Sequence, residues 1–383
     1  MDGEPGLSGE EAAGTVPASR RRTATIKDVA LLSGVSAATV TRALQGHPRV
    51  LPATRRRVED AAVRLGYRPN HIARTLVTGS SKTIGLLIPT TSDRYWAEVV
   101  VGIEKRAAER GFGVLLASSQ GDPDRSDTVL ELFLRNRVEA IVATPAAGVR
   151  ARWLEPQARP PTVVFGWDPP VEPHDLEVAR SLPPEPALAA VKRRSGFAGL
   201  HVSFDDVGGA RAATKHLLEL GHRDIAVLAG PPVLSSVLRV LGARRVLEEE
   251  GIRPVVVVPC DDTFEGGRSA AADVLTTVRA TAILAYNDLV AIGALRAAHA
   301  LGIAVPEAVS VVGMDDIDVA AFVEPPLTTI RQPKQEIGAL AVDLVLDLLS
   351  GGARPLRSEL LAGELVLRGS TAPPPLDSQI PAM

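Results

Sequence analysis

TIKDVALLSGVSAATVTRALQGHPRVLPATRRRVEDAAVRLGYRPNHIARTLVT, residues 25–78, is the stretch of sequence that decides how this chain is organised. Thr25 is a suitable N-cap for a first helix, and Asp28 stands at the N3 position that completes a capping box. Gly34 ends that helix, and Ser36 can cap a second helix with the sequence AATVTRAL. Two short helices joined by a glycine-containing turn form a helix-turn-helix pattern. The second helix of such a pattern typically enters the major groove of DNA.

A third helix and a short separate helix are predicted after this pattern. Pro52 suits the first turn of the third helix, and Gly66 ends it. The segment HIARTLVTG, residues 71–79, is too short to be a stable helix in isolation, because helix nucleation is costly. The sequence therefore predicts an all-α unit followed by a segment that needs a partner in order to fold.

Charge is distributed unevenly along the chain. Residues 20–82 contain 13 Lys and Arg against three acidic residues, a net charge of +10. The whole chain has a net charge of −3, so the remainder carries −13. A basic segment joined to an acidic body indicates that only the basic segment contacts a polyanion.

Length and composition limit the class of protein. The 383 residues are 45% hydrophobic, which allows a small domain and a large one, and no apolar run approaches the length of a membrane span. Cys260 is the single cysteine, which excludes an internal disulfide framework. The first residues lack the apolar core of a signal peptide. We expect a cytoplasmic protein with no membrane partner.

Short apolar strands alternate with helical segments from Thr83 onward. This alternation predicts an α/β body with parallel sheets covered by helices on both faces. The strands fall into two blocks, which indicates two lobes with a cleft between them, a natural ligand site. The predicted strands are TIGLLIP (83–89), GVLLAS (113–118), EAIVAT (139–144), PTVVFG (161–166), IAVLAG (225–230), VVVV (255–258), TAILAY (281–286) and VSVVG (309–313).

Segments from both parts of the chain resemble the LacI/GalR family of bacterial transcription regulators. In the basic part these are TIKDVALLSGVSAATVTRAL and TRRRVEDAAVRLGYRPNHIARTL. In the body they are DDVGGARAATKHLLELGHRDIAVLAGP, AYNDLVAIGALRAAHALGIAVPEAVSVVGMDD and PPLTTIRQP. The resemblance covers nearly the whole chain. It implies a helix-turn-helix DNA-binding head and a two-lobed body like a periplasmic binding protein.

The sequence is expected to divide into five regions. Residues 1–23 lack periodicity and are expected to be a disordered tail, and residues 369–383 are expected to be a second one. The regions between them are a DNA-binding domain (24–69), a hinge helix and linker (70–82), and a ligand-binding and dimerisation domain (83–368).

The family reads bases from the second helix of its head. Ala37, Ala38 and Arg42 occupy those positions here, and Arg42 can form a bidentate pair with a guanine. The alanines offer only methyl groups, for contact with a thymine methyl or for close approach. The predicted phosphate contacts are Ser36, Thr39 and Arg49.

In the family the hinge helix folds when it pairs with its twin on DNA, and a leucine wedges into the minor groove. Ala73 and Leu76 match these positions. An apolar wedge unstacks a base step and kinks the duplex. The alternative for Leu76 is packing within a linker.

By the same resemblance, the effector is bound by residues from both lobes. Tyr95 and Trp96 follow the first strand, where the family stacks aromatic side chains on its ligand. Arg239 matches the arginine that holds hydroxyl or carboxylate groups of the effector, and Asp315 matches the acidic residue that accepts hydrogen bonds from the ligand. Their alternatives are a salt bridge and a turn cap. The weaker candidates are Asp205 and Asn287.

Two departures from the family pattern affect the ligand site. Asp262, in CDDTFEGG, stands where many members have an aromatic residue, so the pocket is either more polar or completed by Phe264. Residues 169–200 form an unusually long, Pro-rich connection near the expected mouth of the cleft.

No motif for catalysis, a metal or a cofactor is recognisable in the sequence. A solute-binding protein with the same body is a second class, but it would lack the DNA-reading head. We therefore predict a dimeric, ligand-responsive repressor that binds double-stranded operator DNA. The expected effector is a sugar or sugar derivative; a purine or nucleoside corepressor is the alternative. A dimer is favoured over a tetramer because no leucine heptads follow Arg368.

Overall fold

The computed structural model describes residues 24–44, 46–67, 80–153, 160–166, 201–253, 256–351 and 358–375. It divides into two compact units, Met1–Ser81 and Lys82–Met383, which we call the head and the body. Ala73, Leu76, residues 1–23 and the Pro-rich residues 169–200 lie outside the described residues.

The described residues of the head form three helices: α1 (Ile26–Ser33), α2 (Ala37–Leu44) and α3 (Pro52–Leu65). They enclose a small apolar core whose centre is formed by Val29, Val40 and Val58, each fully buried. Since this core contains residues from all three helices, the head has the packing of an independent unit.

The predicted helix ends in the head are confirmed. The Asp28 carboxylate accepts hydrogen bonds from the backbone N–H and the hydroxyl of Thr25, both at 2.7 Å. Ser36 Oγ accepts from the backbone N–H of Thr39 at 3.2 Å, which satisfies a free donor at the start of α2. Gly34 ends α1 in the left-handed region, with φ 64°.

The described part of the body forms two six-stranded sheets, and the α/β architecture predicted from the strand–helix alternation is confirmed. The strands are β1 (Thr83–Ile88), β2 (Gly113–Ser118), β3 (Ala140–Ala143), β4 (Thr162–Phe165), β5 (His201–Phe204), β6 (Ile225–Gly230), β7 (Val256–Pro259), β8 (Ala282–Ala285), β9 (Ser310–Asp315), β10 (Thr328–Arg331), β11 (Ser358–Leu361) and β12 (Glu364–Val366). The helices are α4 (Arg94–Glu109), α5 (Pro123–Arg135), α6 (Asp206–Glu219), α7 (Leu234–Glu249), α8 (Phe264–Thr277), α9 (Asp288–Ala300) and α10 (Lys334–Leu349).

The strand order is β11-β5-β4-β3-β1-β2 in the first sheet and β12-β10-β9-β8-β6-β7 in the second. The pairings are parallel except for the antiparallel pair of β10 and β12. All eight predicted strands are present. The four that the sequence did not predict, β5 and β10 to β12, are three or four residues long and contain polar or charged side chains. They lack the continuous apolar run that marks a buried strand.

The chain crosses between the two lobes three times. It leaves β5 of the first sheet for α6, which packs against β10 and β12 of the second. It returns from β10 to α10, which packs against α4, β3 and β4 of the first lobe. The third crossing joins β11 in the first sheet to β12 in the second. Residues 205, 332–333 and 362–363 therefore lie at the junction of the lobes.

Helices α4 and α10 lie in unusually close contact. A Cβ atom at Gly102 would lie 2.1 Å from the backbone oxygen of Gln335, and one at Gly338 would lie 2.4 Å from that of Val99. Only glycine permits this approach of the two backbones. The start of α10, at the junction of the lobes, is thereby fixed against α4.

The prediction that disorder begins at residue 369 is wrong for residues 369–375. Ser370 is fully buried, and its hydroxyl donates to Val311 O at 2.6 Å and accepts from Thr328 N at 2.8 Å. His222 bonds to the backbone oxygen of Ala372 at 2.8 Å. The segment is polar and rich in proline, but it satisfies backbone groups of the central strands that would otherwise be unpaired.

No helix among the described residues is long and apolar enough to cross a membrane. Within the same residues, no group of three or more His, Cys, Asp or Glu side chains is arranged to hold a metal ion.

Candidate functional site

A polar groove lies beside α2 on the head. It has a volume of about 380 Å³ and is lined by Thr39, Arg42, His47, Arg49, Val50, Leu51 and Thr54. Three of the predicted DNA contacts, Thr39, Arg42 and Arg49, thus meet at one groove. Both arginines are exposed, so their guanidinium groups are free to meet an anion in solvent.

The other predicted DNA contacts lie at the start of α2. Ser36 is exposed, and its Oγ lies 2.9 Å from Thr39 Oγ1, so the two hydroxyls form one polar edge. Ala38 is exposed and Ala37 is half-buried. His47 and Thr54 were not predicted from the sequence, because their place on the groove depends on how the turn before α3 folds.

The first lobe contributes an aromatic pair to the junction of the lobes. Asp93 caps α4 by accepting from Tyr95 N at 2.9 Å, which fixes the two residues that follow it. The rings of Tyr95 and Trp96 meet edge to face with centroids 4.9 Å apart. Trp96 also meets the ring of Phe165, 5.8 Å away in the core. Both aromatic residues are half-buried, so each keeps surface for contact with a ligand.

Arg239, on α7 of the second lobe, is held by two protein groups. Its Nε donates to Asp206 Oδ1 at 2.7 Å, and its Nη1 donates to Tyr286 O at 2.5 Å. The guanidinium also lies 4.5 Å from the centroid of the Tyr286 ring. Burial lowers the pKa of Arg239, but the charges of Asp206, Tyr286 and Asp315 and the hydrogen bond to Asp206 together outweigh it and raise the pKa. Nη2 has no hydrogen-bond partner among the described residues.

Asp315 ends β9 with a left-handed backbone, φ 126°, and only 8% of its surface is exposed. Its Oδ1 accepts from Gln332 Nε2 at 2.6 Å, and Oδ2 has no partner within the described part of the chain. Burial raises the pKa of Asp315 well above its ordinary range, although the charge of Arg239 opposes this. A buried carboxylate with one oxygen unpaired is well suited to accept from a ligand hydroxyl.

Lys334, at the start of α10, contacts both lobes and was not predicted. It is 3% exposed, and its Nζ donates to the backbone oxygens of Asp315 and Asp316 in the second lobe. The same ammonium lies 3.2 Å from Glu98 Oε1 on α4. An exposed pair, Arg94 and Asp318 at 3.0 Å, also joins the lobes.

The junction contains more carboxylates than available cations. Burial raises the pKa of Asp93, and the nearby charge of Asp262 raises it further. Burial also raises the pKa of Asp262. Arg239 is already paired with Asp206, and Lys334 with Glu98. Asp262, at the position where the family pattern has an aromatic residue, therefore makes the region acidic.

Asp205 and Asn287 serve as helix caps. Asp205 Oδ1 accepts from Gly208 N at 3.0 Å at the start of α6. Asn287 Oδ1 accepts from Val290 N at 2.9 Å, and its Nδ2 donates to Asp262 O at 3.4 Å. These bonds engage both the Oδ1 and the Nδ2 of Asn287, which favours a role as a helix cap over a role in binding the effector.

Two family models match the chain: bacterial regulatory proteins of the lacI family over residues 25–70, and the periplasmic binding protein-like domain over residues 214–371. The HTH-type transcriptional repressor CytR of Escherichia coli K12 is 34% identical over 352 residues, which cover 91% of this chain and 96% of CytR. The ribose operon repressor of the same strain is 31% identical over 91% of this chain and 99% of its own. The Lac repressor dimer bound to operator and the anti-inducer ONPF has a TM-score of 0.75 at 30% identity, covering 92% of this chain and all of that one.

Proposed function

The chain belongs to the LacI family of bacterial regulatory proteins, and from this membership we propose that it represses genes for the use of an uncharged carbohydrate bound between its lobes. It is a ligand-responsive, DNA-binding transcription regulator. The observation that carries the proposal is the junction of the lobes, where Arg239 and Asp315 each present a polar atom that has no partner among the described residues.

The DNA-binding part of the proposal rests on the head. The Lac repressor that this chain resembles is a dimer bound to operator. We infer a homodimer here as well, with two heads on a pseudo-palindromic operator. Arg42 would read a guanine, with Ala37 and Ala38 against the base edges and Ser36, Thr39 and Arg49 on phosphates. Ala73 and Leu76 would form the minor-groove wedge. Such a regulator acts on the chromosome, and so in the cytoplasm.

The effector part rests on the charges at the junction. Because both buried cations there are paired with protein carboxylates, Asp93, Asp262 and Asp315 remain to meet the ligand. Carboxyl groups exchange hydrogen bonds with hydroxyl groups whether or not they are ionised, and a phosphate would meet no buried cation among the described residues of the junction that is not already paired. Tyr95 and Trp96 offer faces for the apolar side of a sugar ring. These features favour a neutral polyhydroxyl compound over a sugar phosphate.

A nucleoside is the second candidate. The relative at 31% identity is a ribose operon repressor, and a nucleoside contains the same pentose together with a base. Tyr95 and Trp96 could stack on that base. A nucleoside would therefore satisfy both the hydrogen-bonding and the aromatic sides of the junction.

The effector would act by changing the relative position of the lobes. The three crossings leave the lobes connected but able to rotate as bodies, and the Lys334 ammonium links them directly by contacting Glu98 in the first lobe and the backbone oxygens of Asp315 and Asp316 in the second. A ligand that binds Asp315 in one lobe and Tyr95 in the other favours one arrangement over another. Only this difference in affinity can be transmitted to the head. Like its repressor relatives, the protein would act by binding rather than by catalysis.

The test is a thermal-shift screen of the full chain against pentoses, hexoses, nucleosides and the phosphate ester of each. A ligand of the folded state raises the unfolding temperature by mass action. We expect a neutral compound to stabilise the protein and its phosphate ester to do so much less. Stabilisation mainly by phosphate esters would contradict the proposal. Salt-dependent binding of duplex DNA, measured with the same protein, separates a regulator from a solute-binding protein.

A further inference from the structure

We propose that His47 is a DNA-contacting residue, whose Nε2–H donates to a backbone phosphate held in the groove beside α2. The inference rests on the DNA-binding function proposed above. It adds a contact that the sequence pattern did not indicate, and it assigns the groove a specific occupant.

The backbone of His47 is fixed by the turn between α2 and α3. Its N–H donates to Arg42 O at 3.0 Å, and its carbonyl oxygen accepts from Val50 N at 3.1 Å. Arg55 Nη2 donates to the same oxygen at 3.0 Å. Gly46, with φ 71°, makes the sharp reversal that brings His47 back over the end of α2. The imidazole ring is therefore presented from a rigid position.

The hydrogen bonds of the ring determine which nitrogen is available as a donor. His47 Nδ1 accepts from the backbone N–H of Arg49 at 3.2 Å. A neutral imidazole has one acceptor nitrogen and one N–H, so the proton lies on Nε2. Nε2 has no hydrogen-bond partner among the described residues of the head. The ring lines the groove and is half-buried.

The groove suits an anion. Its other polar side chains are the hydroxyls of Thr39 and Thr54 and the guanidinium groups of Arg42 and Arg49. No acidic residue is among its lining residues within the described part of the head. Hydroxyls, guanidinium groups and an imidazole N–H are all donors to phosphate oxygens.

A backbone phosphate of duplex DNA is the anion that would occupy this groove when the head binds DNA. When α2 enters a major groove, the turn after it lies against one of the two strands bordering that groove. Phosphate contacts from such turns fix the position of the recognition helix without reading sequence. His47 and Arg49 would hold the phosphate from the turn, and Arg42 would reach the bases from the helix.

The alternative is that His47 serves only the turn, through the bond from Arg49. Two substitutions separate these roles. In His47→Asn the amide oxygen can replace Nδ1 as acceptor, but no N–H reaches the place of Nε2. In His47→Gln the longer amide can place an N–H near Nε2, but the acceptor for Arg49 is lost.

The experiment measures binding of the full chain to a fluorescent duplex of arbitrary sequence, at several salt concentrations. The operator need not be known, because a phosphate contact is independent of sequence. We expect His47→Asn to unfold at the wild-type temperature and to bind about tenfold more weakly. The slope of log affinity against log salt should not change, since a neutral donor releases no counterion. Arg49→Ala is the control and should reduce the slope by about one.

Each other outcome is also decisive. Wild-type affinity in His47→Asn would overturn the inference, and a salt slope reduced by about one in that variant would overturn the neutral-donor form of it. If His47→Asn unfolds early, His47→Gln decides: affinity near wild type supports the contact, and a loss equal to that of His47→Asn overturns it. Failure of the wild-type protein to bind any duplex would instead refute the proposed function itself.

Discussion

Replacing Ser370 with alanine should destabilise the body without affecting the head. Its hydroxyl is fully buried between β9 and β10, where it donates to Val311 O and accepts from Thr328 N. Alanine fits the space but offers no acceptor, so the Thr328 N–H loses its partner away from water. The Val311 carbonyl loses one donor but keeps the possibility of others.

The size of the effect follows from that orphaned donor. A buried polar group left without a partner costs about 1–3 kcal/mol. The hydroxyl itself no longer has to be desolvated, which offsets part of this cost, so we expect a loss near the middle of the range, about 2 kcal/mol. In a domain of this size, 1 kcal/mol lowers the unfolding temperature by about 2–4 °C. The transition of the body should therefore fall by roughly 4–8 °C.

Differential scanning calorimetry of the full chain measures this change. Ser350→Ala is the matched control, because Ser350 also loses a hydroxyl bond, to Leu346 O at 2.9 Å, but at an exposed helix end. That variant should change stability by less than about 0.5 kcal/mol. If the two variants unfolded at the same temperature, residues 369–375 would not stabilise the body, and the reasoning from Ser370 would be refuted.

Three further predictions concern the effector, the pH dependence and the hinge. Asp315→Asn should weaken effector binding about tenfold or more in isothermal titration, because an amide has one acceptor oxygen and cannot accept from both Gln332 and the ligand. Unchanged affinity would exclude Asp315 from the site. Burial raises the pKa of Asp288 from the ordinary 3.8 to about 6, so the folded protein holds a proton that the unfolded chain releases. The stability that this group contributes is therefore full at low pH and is lost as the pH rises through about 6. Denaturant unfolding between pH 4 and 7 should show this loss in wild type but not in Asp288→Asn; parallel profiles would contradict it. Leu76→Ala should weaken operator binding and reduce DNA bending in a gel-based bending assay while leaving the fold intact, and wild-type affinity would show that Leu76 is not a wedge.

Features encoded by neighbouring residues were predictable from the sequence. The caps at Thr25 and Ser36 and the apolar strands each depend on residues within one or two turns of chain. The strand–helix alternation also predicted the parallel sheets, because such sheets require crossover connections. The change from the helix-turn-helix pattern to strand–helix alternation is also a local feature, so the sequence indicated where the helix-turn-helix ends and the α/β body begins.

Features that depend on distant pairs were not predictable. Lys334 contacts Glu98 across more than two hundred residues of chain, and only the folded crossing brings them together. Arg239 with Asp206 and Ser370 with Thr328 are closer in the chain, but each pair also meets only through the packing of the second lobe. The segment 369–375 resembles a disordered tail in composition, because its stabilising bonds are to backbone groups and leave no apolar signal. Similarly, the place of His47 on the groove follows from turn geometry, which composition does not reveal.

The third crossing has a consequence for how the protein is made. The first sheet lacks its edge strand until residues 358–361 have been synthesised, and the second until residues 364–366. Chains grow from the N-terminus at about 5–20 residues per second, so the head is complete long before either lobe can be. During this interval β5 and β10 present unpaired edges, which are open to association with other nascent chains. A premature stop codon before residue 358 would leave a product with an intact DNA-binding unit and no finished effector domain, so such alleles should lose control by the ligand while keeping a head able to contact DNA.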